Sequence, residues 1–259
     1  MTVLLRSAFF NLAFFALTIV MAVVCLPLLP WRGPTEAALR LWARAVLWLL
    51  SAVVGLRVRA VGFEHLPEGA AILAAKHQSA FDTVFWLTLR PLPAYVLKRE
   101  LLWIPLYGWF AARAGMIPVD RAGGGAALRR MLRAARAALA AGRKIVIFPE
   151  GTRTAPGESR PWQPGVAALA ATGAPVLPVA TDSGRFWGRR AFLKRPGVLS
   201  VVVLPPLPAG LPRDEMLRQA QAAVEAESLR LLGAAAVENP VEQPAGRVRA
   251  GAQHQPSSD

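Results

Sequence analysis

Apolar side chains run from Ala8 to Pro30 with no charge among them, and only Asn11 and Thr18 are polar. At ~1.5 Å per residue, a helix over this run crosses ~30 Å of hydrocarbon. Arg6 precedes it and Arg32 follows it. A cleaved leader is the rival reading. It is disfavoured because one arginine is a thin basic start, the apolar run is long, and Leu26 to Trp31 offers no small-residue cleavage site. A second apolar stretch covers Ala37 to Leu56. Arg40 and Arg44, four apart, share a helical face at its start, and its end is wholly apolar. This pattern predicts a helix lying in, or dipping into, one leaflet, with Trp31, Trp42 and Trp48 as interface anchors. The alternative is a core helix with two solvated arginines.

From about residue 57 the periodicity changes. Short β-type runs at Leu56–Val61, Ala71–Ala75, Ala94–Leu97, Met116–Val119, Lys144–Phe148, Val176–Ala180 and Leu199–Leu204 alternate with helical patterns. Those helices are expected over Ala80–Leu89, Glu100–Ala114, Ala126–Ala141, Val166–Ala171 and Arg213–Leu232. Such alternation predicts an α/β domain with a largely parallel sheet. Beyond Gly233 the chain is rich in Pro, Gln, Gly, Ser and Ala without apolar periodicity, which predicts a disordered tail. The expected organisation is therefore membrane-anchoring helices over 1–56, a catalytic domain over 57–233 and a tail over 234–259.

Composition sharpens this picture. With 54% hydrophobic and 18% charged residues, the 259-residue chain is too apolar for a disordered protein. The net charge is +14, and residues 90–200 hold 18 Lys/Arg against five Asp/Glu, so nearly all of the excess lies in the catalytic domain. Arg129, Arg130, Arg133 and Arg136 cluster on one predicted helix. The excess suits an anionic partner, and beside an apolar run it favours an anionic bilayer surface. No zinc pattern or nucleic-acid module accompanies it, so no nucleic acid is expected. The single cysteine, Cys25, excludes an intramolecular disulfide. Its apolar surroundings assign it to packing or to the lipid face. His65, His77 and His254 are too scattered for a histidine-rich metal site.

Three stretches carry candidate chemistry. In Lys76-His77-Gln78-Ser79-Ala80-Phe81-Asp82, Ser79-x-x-Asp82 has the form of a capping box. His77 would then lie just outside the helix with Asp82 in its first turn, close enough to orient the imidazole as a base. The plainer reading is a capped helix with a histidine packed nearby. A Ser79–His77 hydrolase is disfavoured because a capping serine commits its oxygen to the backbone. In Ile145 to Arg153, a buried strand ends in Phe148-Pro149-Glu150-Gly151-Thr152-Arg153. Strand C-termini are common sites in α/β sheets, and arginine makes paired hydrogen bonds to phosphate. The plainer reading is a Glu150–Arg153 pair across the turn. Lys98 and Arg121 stand near two further strand ends and could add to an anion site.

Together these stretches resemble the glycerolipid acyltransferase family, in particular its bacterial 1-acyl-glycerol-3-phosphate acyltransferases. The H-x-x-x-x-D block matches His77 and Asp82, and G-x-I-x-x-D/R-R matches Gly115, Ile117, Asp120 and Arg121. F-P-E-G-T-R matches Phe148 to Arg153 unchanged, and V-x-P-V resembles Val176 to Val179. The resemblance covers roughly residues 55–205. It implies a mixed, largely parallel sheet flanked by helices behind a membrane-anchoring segment. It also implies acyl transfer from acyl-CoA or acyl-carrier protein, as co-substrate, to the hydroxyl of lysophosphatidic acid. His77 would be the base and Asp82 its orienting group. Glu150, Gly151, Thr152 and Arg153 would bind the acceptor, with Lys98 and Arg121 in support. No metal and no bound cofactor is implied. Two departures touch the acceptor: Lys76 stands where asparagine is usual, and Trp162-Gln163-Pro164-Gly165 replaces a lysine-bearing pattern, for which Arg160 could substitute. Lyso-ornithine lipid and glycerol-3-phosphate therefore remain alternative acceptors, and a non-catalytic anionic-lipid binder remains the rival class. Arg32, Arg40 and Arg44 follow the first run, so for a single span, or a two-helix re-entrant anchor, the domain is expected on the cytoplasmic side, at the inner membrane given the bacterial resemblance.

Overall fold

The computed structural model describes residues 2–120 and 123–238, and most of the expected tail therefore lies outside the described residues. Helix α1 (Val3–Val24) begins at Thr2, whose hydroxyl accepts from the Leu5 N–H. Beyond it, Pro27 and Pro30 cannot continue a helical ladder, and a 3-10 turn at Leu26–Leu28 reverses the chain. Helix α2 (Arg32–Leu49) tolerates Pro34 in its first turn, where the backbone N–H would lack an intrahelical partner anyway. It continues through a π-helical turn, Leu50–Val54, to Gly55 at φ 78°, a left-handed terminus that glycine reaches without a Cβ clash.

The domain then follows as β1 (Leu56–Val61), β2 (Ala71–Ala75), α3 (Phe81–Phe85), β3 (Ala94–Lys98), α4 (Tyr107–Arg113), β4 (Ile117–Val119), α5 (Gly124–Ala140) and β5 (Lys144–Ile147). It is completed by α6 (Gly165–Ala170), β6 (Val176–Thr181), α7 (Ser183–Phe186), β7 (Gly197–Val203) and α8 (Arg213–Glu238). All seven expected strands are present and form one sheet in the order β1-β7-β6-β2-β5-β3-β4. Every pairing is parallel except β6 with β7.

Several helices differ from expectation for local reasons. The stretch expected as Glu100–Ala114 breaks at Pro105 into a 3-10 turn, Arg99–Trp103, and α4. The helix expected from Ala80 shortens to α3 plus a 3-10 turn, Trp86–Thr88. Helix α7 was not anticipated, and α8 runs past Gly233 to Glu238.

Sheet alternation sorts the core into two layers. In β2, Ala71, Leu73 and Ala75 pack toward Phe10, Val46, Leu50 and Val54 of the N-terminal helices. Ile72 and Ala74 face the opposite way, toward Met131, Ala135, Val166, Leu169 and Val224 of α5, α6 and α8. Helices α1 and α2 are thus one of the two helical layers on the sheet. The other side of α1 leaves Leu4, Leu5, Phe9, Leu12, Phe15 and Ile19 exposed. Val3–Val24 and Arg32–Val54 are each long and apolar enough to cross a membrane. Of the expected anchors, Trp31 and Trp48 are exposed, whereas Trp42 turns inward and donates to the Thr18 hydroxyl at 3.0 Å.

Candidate active site

Parallel strands bring their C-terminal ends to one edge of the sheet, where their following loops meet. His77 follows β2, Phe148 to Arg153 follow β5, and Lys98 ends β3. The His77 Nδ1 lies 3.0 Å from Asp82 Oδ2. The same oxygen accepts from the backbone N–H groups of Gln78 at 2.7 Å and Ser79 at 2.8 Å. Three polar groups converge on this one oxygen and fix its position. Asp82 therefore holds the imidazole as expected, although α3 begins at Phe81 rather than after Ser79. The Ser79 hydroxyl accepts from the Phe81 N–H at 3.1 Å, so its oxygen is committed to the backbone. The imidazole stacks on Phe148, with ring centres 4.1 Å apart and planes 18° from parallel. With Nδ1 turned to the carboxylate, Nε2 is the ring nitrogen left for a substrate.

The third block grips His77 by its backbone. Glu150 Oε2 accepts from the His77 N–H at 3.0 Å, and the His77 carbonyl accepts from the Thr154 N–H at 2.8 Å. Glu150 Oε1 lies 2.7 Å from the Lys76 ammonium, which is itself buried. The ammonium also donates to both oxygens of Glu225 on α8 and to the Glu158 carbonyl. Burial pushes the Glu150 carboxyl above its ordinary value, against the hydrogen bond and charge of Lys76. The Glu150 carboxylate is thus engaged by Lys76 and the His77 backbone and is not among the groups that line the adjacent cavity. Lys76, which stands where asparagine is usual, likewise points into this buried cluster. The plainer Glu150–Arg153 pair is not formed.

His77, Gly151, Thr152 and Arg153 line a cavity of about 560 Å³, within the usual range for a ligand pocket. Its walls are mainly apolar, including Ile19 and Met21 of α1, Leu39 and Trp42 of α2, and Phe110 and Met116 of the domain. Gly151 sits at φ 69°, which lets the turn close with its N–H on the Phe148 carbonyl at 3.0 Å. Cys25 lines the cavity too, which fits neither pure core packing nor a lipid-facing place.

Lys98, Arg153, Arg189 and Arg190 share this cavity with His77. Burial lowers the Arg153 guanidinium below its ordinary value, and Arg189 and Arg190 push in the same direction. That mutual effect marks one cationic group of side chains, suited to an anion that neutralises them. Arg189 and Arg190 were missed by sequence reasoning. They lie in a loop between α7 and β7, and nothing in their local pattern points to β2 or β5. Arg121 lies outside the described residues. Arg160 pairs with Glu158 at 2.7 Å and is not among the residues lining the cavity. Gly115 is explained by packing: it sits at φ 68°, and a Cβ there would meet Arg143 Nη1 at 2.9 Å.

The family model described as Acyltransferase matches residues 57–182. The chain is 36% identical over 184 residues to a 1-acyl-sn-glycerol-3-phosphate acyltransferase of Pseudomonas aeruginosa, covering 71% of this chain and 72% of that one. It is 30% identical over 216 residues to the human 1-acyl-sn-glycerol-3-phosphate acyltransferase alpha, covering 80% and 75%. Among solved structures, the 1-acyl-sn-glycerophosphate (LPA) acyltransferase PlsC from Thermotoga maritima superposes with a TM-score of 0.72 over 89% of this chain and 98% of that one. At 22% identity, that likeness is one of fold.

Proposed function

The chain belongs to the family of 1-acyl-sn-glycerol-3-phosphate acyltransferases, and from that premise we propose that it acylates the free hydroxyl of lysophosphatidic acid to give phosphatidic acid. The donor is a thioester, acyl-CoA or acyl-carrier protein. The observation that carries this reading is the His77–Asp82 pair, 3.0 Å apart, at the cationic end of a largely apolar cavity. A lipid with one phosphate and one acyl chain has the matching polarity.

In this mechanism the hydroxyl proton passes to His77 Nε2 while the hydroxyl oxygen attacks the thioester carbonyl. Asp82 stabilises the imidazolium that forms. The carbon–sulfur bond then breaks, and the departing thiolate takes the proton back from the imidazolium. General base catalysis of this kind contributes ~10²–10⁴-fold. Arg153, Arg189, Arg190 and Lys98 hold the acceptor phosphate. Glu150 acts through the backbone of His77. The mechanism uses no metal and no bound redox cofactor, since the thioester is itself the activated group.

The exposed apolar side of α1 supports seating in a membrane, where lipid acceptor and product reside. The catalytic loops then face the cytoplasm at the inner membrane, and the domain's positive charge favours an anionic lipid surface. The test uses full-length protein in mild detergent with labelled acyl-CoA or acyl-carrier protein. Lysophosphatidic acid, lyso-ornithine lipid and glycerol-3-phosphate serve as competing acceptors for wild type and His77→Ala. Phosphatidic acid formed by wild type and lost in a folded His77→Ala is the expected result. Transfer to another acceptor alone moves the substrate, and an undiminished His77→Ala removes the assigned base.

A further inference from the structure

Helix α1 carries few polar side chains, and two of them, Ser7 and Asn11, are four apart and therefore on one face. That face meets the loop after α7. The Ser7 hydroxyl accepts from the Lys194 N–H at 2.9 Å and lies 3.2 Å from the Lys194 carbonyl. Asn11 donates through Nδ2 to the Phe192 carbonyl at 3.0 Å and accepts through Oδ1 from the Lys194 ammonium at 2.7 Å. The same ammonium donates to the carbonyls of Ala191 at 2.9 Å and Phe192 at 3.0 Å. It stands over the Trp187 ring, 5.2 Å from its centre, and 6.0 Å from the centre of Phe10. Lys194 is only 3% exposed. Burial lowers its ammonium to about 8, so it remains charged at neutral pH.

The carbonyls that Lys194 gathers belong to the two residues directly after Arg190. Arg190 adopts φ 56°, a left-handed conformation that a residue with a Cβ holds only under constraint. Arg189 and Arg190 reach the cavity from this turn. We propose that Ser7, Asn11 and Lys194 form a positioning clamp through which the apolar helix α1 sets the two arginines for the acceptor's phosphate. Helix α1 is then part of the acceptor's recognition as well as a seat in the membrane. This rests on the reading of Arg189 and Arg190 as phosphate ligands.

The experiment compares acceptor and donor KM values of the full-length protein in detergent, with lysophosphatidic acid and acyl-CoA or acyl-carrier protein. Arg189→Ala and Arg190→Ala should each raise the acceptor KM about 10- to 100-fold, the usual weight of a charged hydrogen bond. Asn11→Leu keeps α1 apolar and should raise the acceptor KM about three- to tenfold, with kcat and donor KM little changed. The double variant Asn11→Leu/Lys194→Met replaces the clamp with apolar packing and should show the same split even if the single variant folds poorly. Asn11→Asp keeps an oxygen for the ammonium but loses the donor to the Phe192 carbonyl, so it should recover only part of the affinity lost in Asn11→Leu. Unchanged acceptor KM in both arginine variants overturns the phosphate reading and the clamp with it. An effect of the arginines without one in the folded Asn11 variants overturns the clamp alone. So does an Asn11 effect confined to kcat or melting temperature.

Discussion

The Lys76 ammonium lies 2.7 Å from Glu225 Oε1, joining the end of β2 to a helix 149 positions further along the chain. It also lies 2.7 Å from Glu150, whose other oxygen accepts from the His77 backbone. Two carboxylates thus share one buried ammonium, and α8 reaches the backbone of His77 through a single cation.

Removing that cation leaves Glu150 inside the protein without its counter-charge. Breaking a buried pair in this way costs about 3–5 kcal/mol. Lys76→Ala should therefore lower the unfolding free energy by that order in denaturant titration. Glu225→Gln, whose partner retains Glu150, should cost about 1–2 kcal/mol. A Lys76→Ala protein as stable as wild type would contradict the role of the cluster.

His77 and Asp82 should separate activity from stability. His77→Ala removes the proposed base and should lower kcat at least ~10²-fold with little change in melting temperature. Asp82→Ala strands the N–H groups of Gln78 and Ser79 as well, adding a loss of about 1–3 kcal/mol in stability. Paired turnover and thermal denaturation measurements test this. Equal stability losses in the two variants would refute the division.

The cavity wall should influence the acyl chain accepted. Ala38 lines it from α2, one helical turn before Trp42. Ala38→Phe would exclude the last methylenes of a long chain, at ~0.8 kcal/mol each, so losing two or three lowers kcat/KM about tenfold or more. Acceptors with shorter chains should be unaffected. A series of lysophosphatidic acid chain lengths checks this, and an unchanged length profile would remove Ala38 from the acceptor's chain path.

Asp182 makes folding pH-dependent. Burial raises its carboxyl from 3.8 to about 6, despite the hydrogen bond from the Ser200 N–H at 2.8 Å. The folded state therefore disfavours the ionised form. This penalty is full above pH 6 and fades as pH falls from about 6 towards 4. Asp182→Asn should raise unfolding free energy at pH 7.5 by up to about 3 kcal/mol and change it little near pH 4. Urea titrations at the two pH values decide the matter, and a constant difference between them would argue against it.

The strands were legible because β2, β5 and β6 are short apolar runs between breakers. The His77–Asp82 pair was legible because Ser79-x-x-Asp82 placed a helix start between them. The break at Pro105 is hidden from an apolar pattern that runs continuously through Glu100–Ala114. The orientation of Glu150 could not be read, since its neighbours in sequence do not reveal that Lys76 and the His77 N–H claim its carboxylate. Arg189 and Arg190 were equally hidden, because tertiary packing against α1 brings their loop to the cavity.

Phe10, Val46, Leu50 and Val54 share one core with Leu73, Leu177 and Leu199 of the sheet. The N-terminal helices are consequently no interchangeable tether. Grafting another protein's anchor at Gly55 would strip one side of the sheet and open the substrate cavity. The apolar helices and the sheet therefore fold as one unit, and a change in either calls for a matching change in the other.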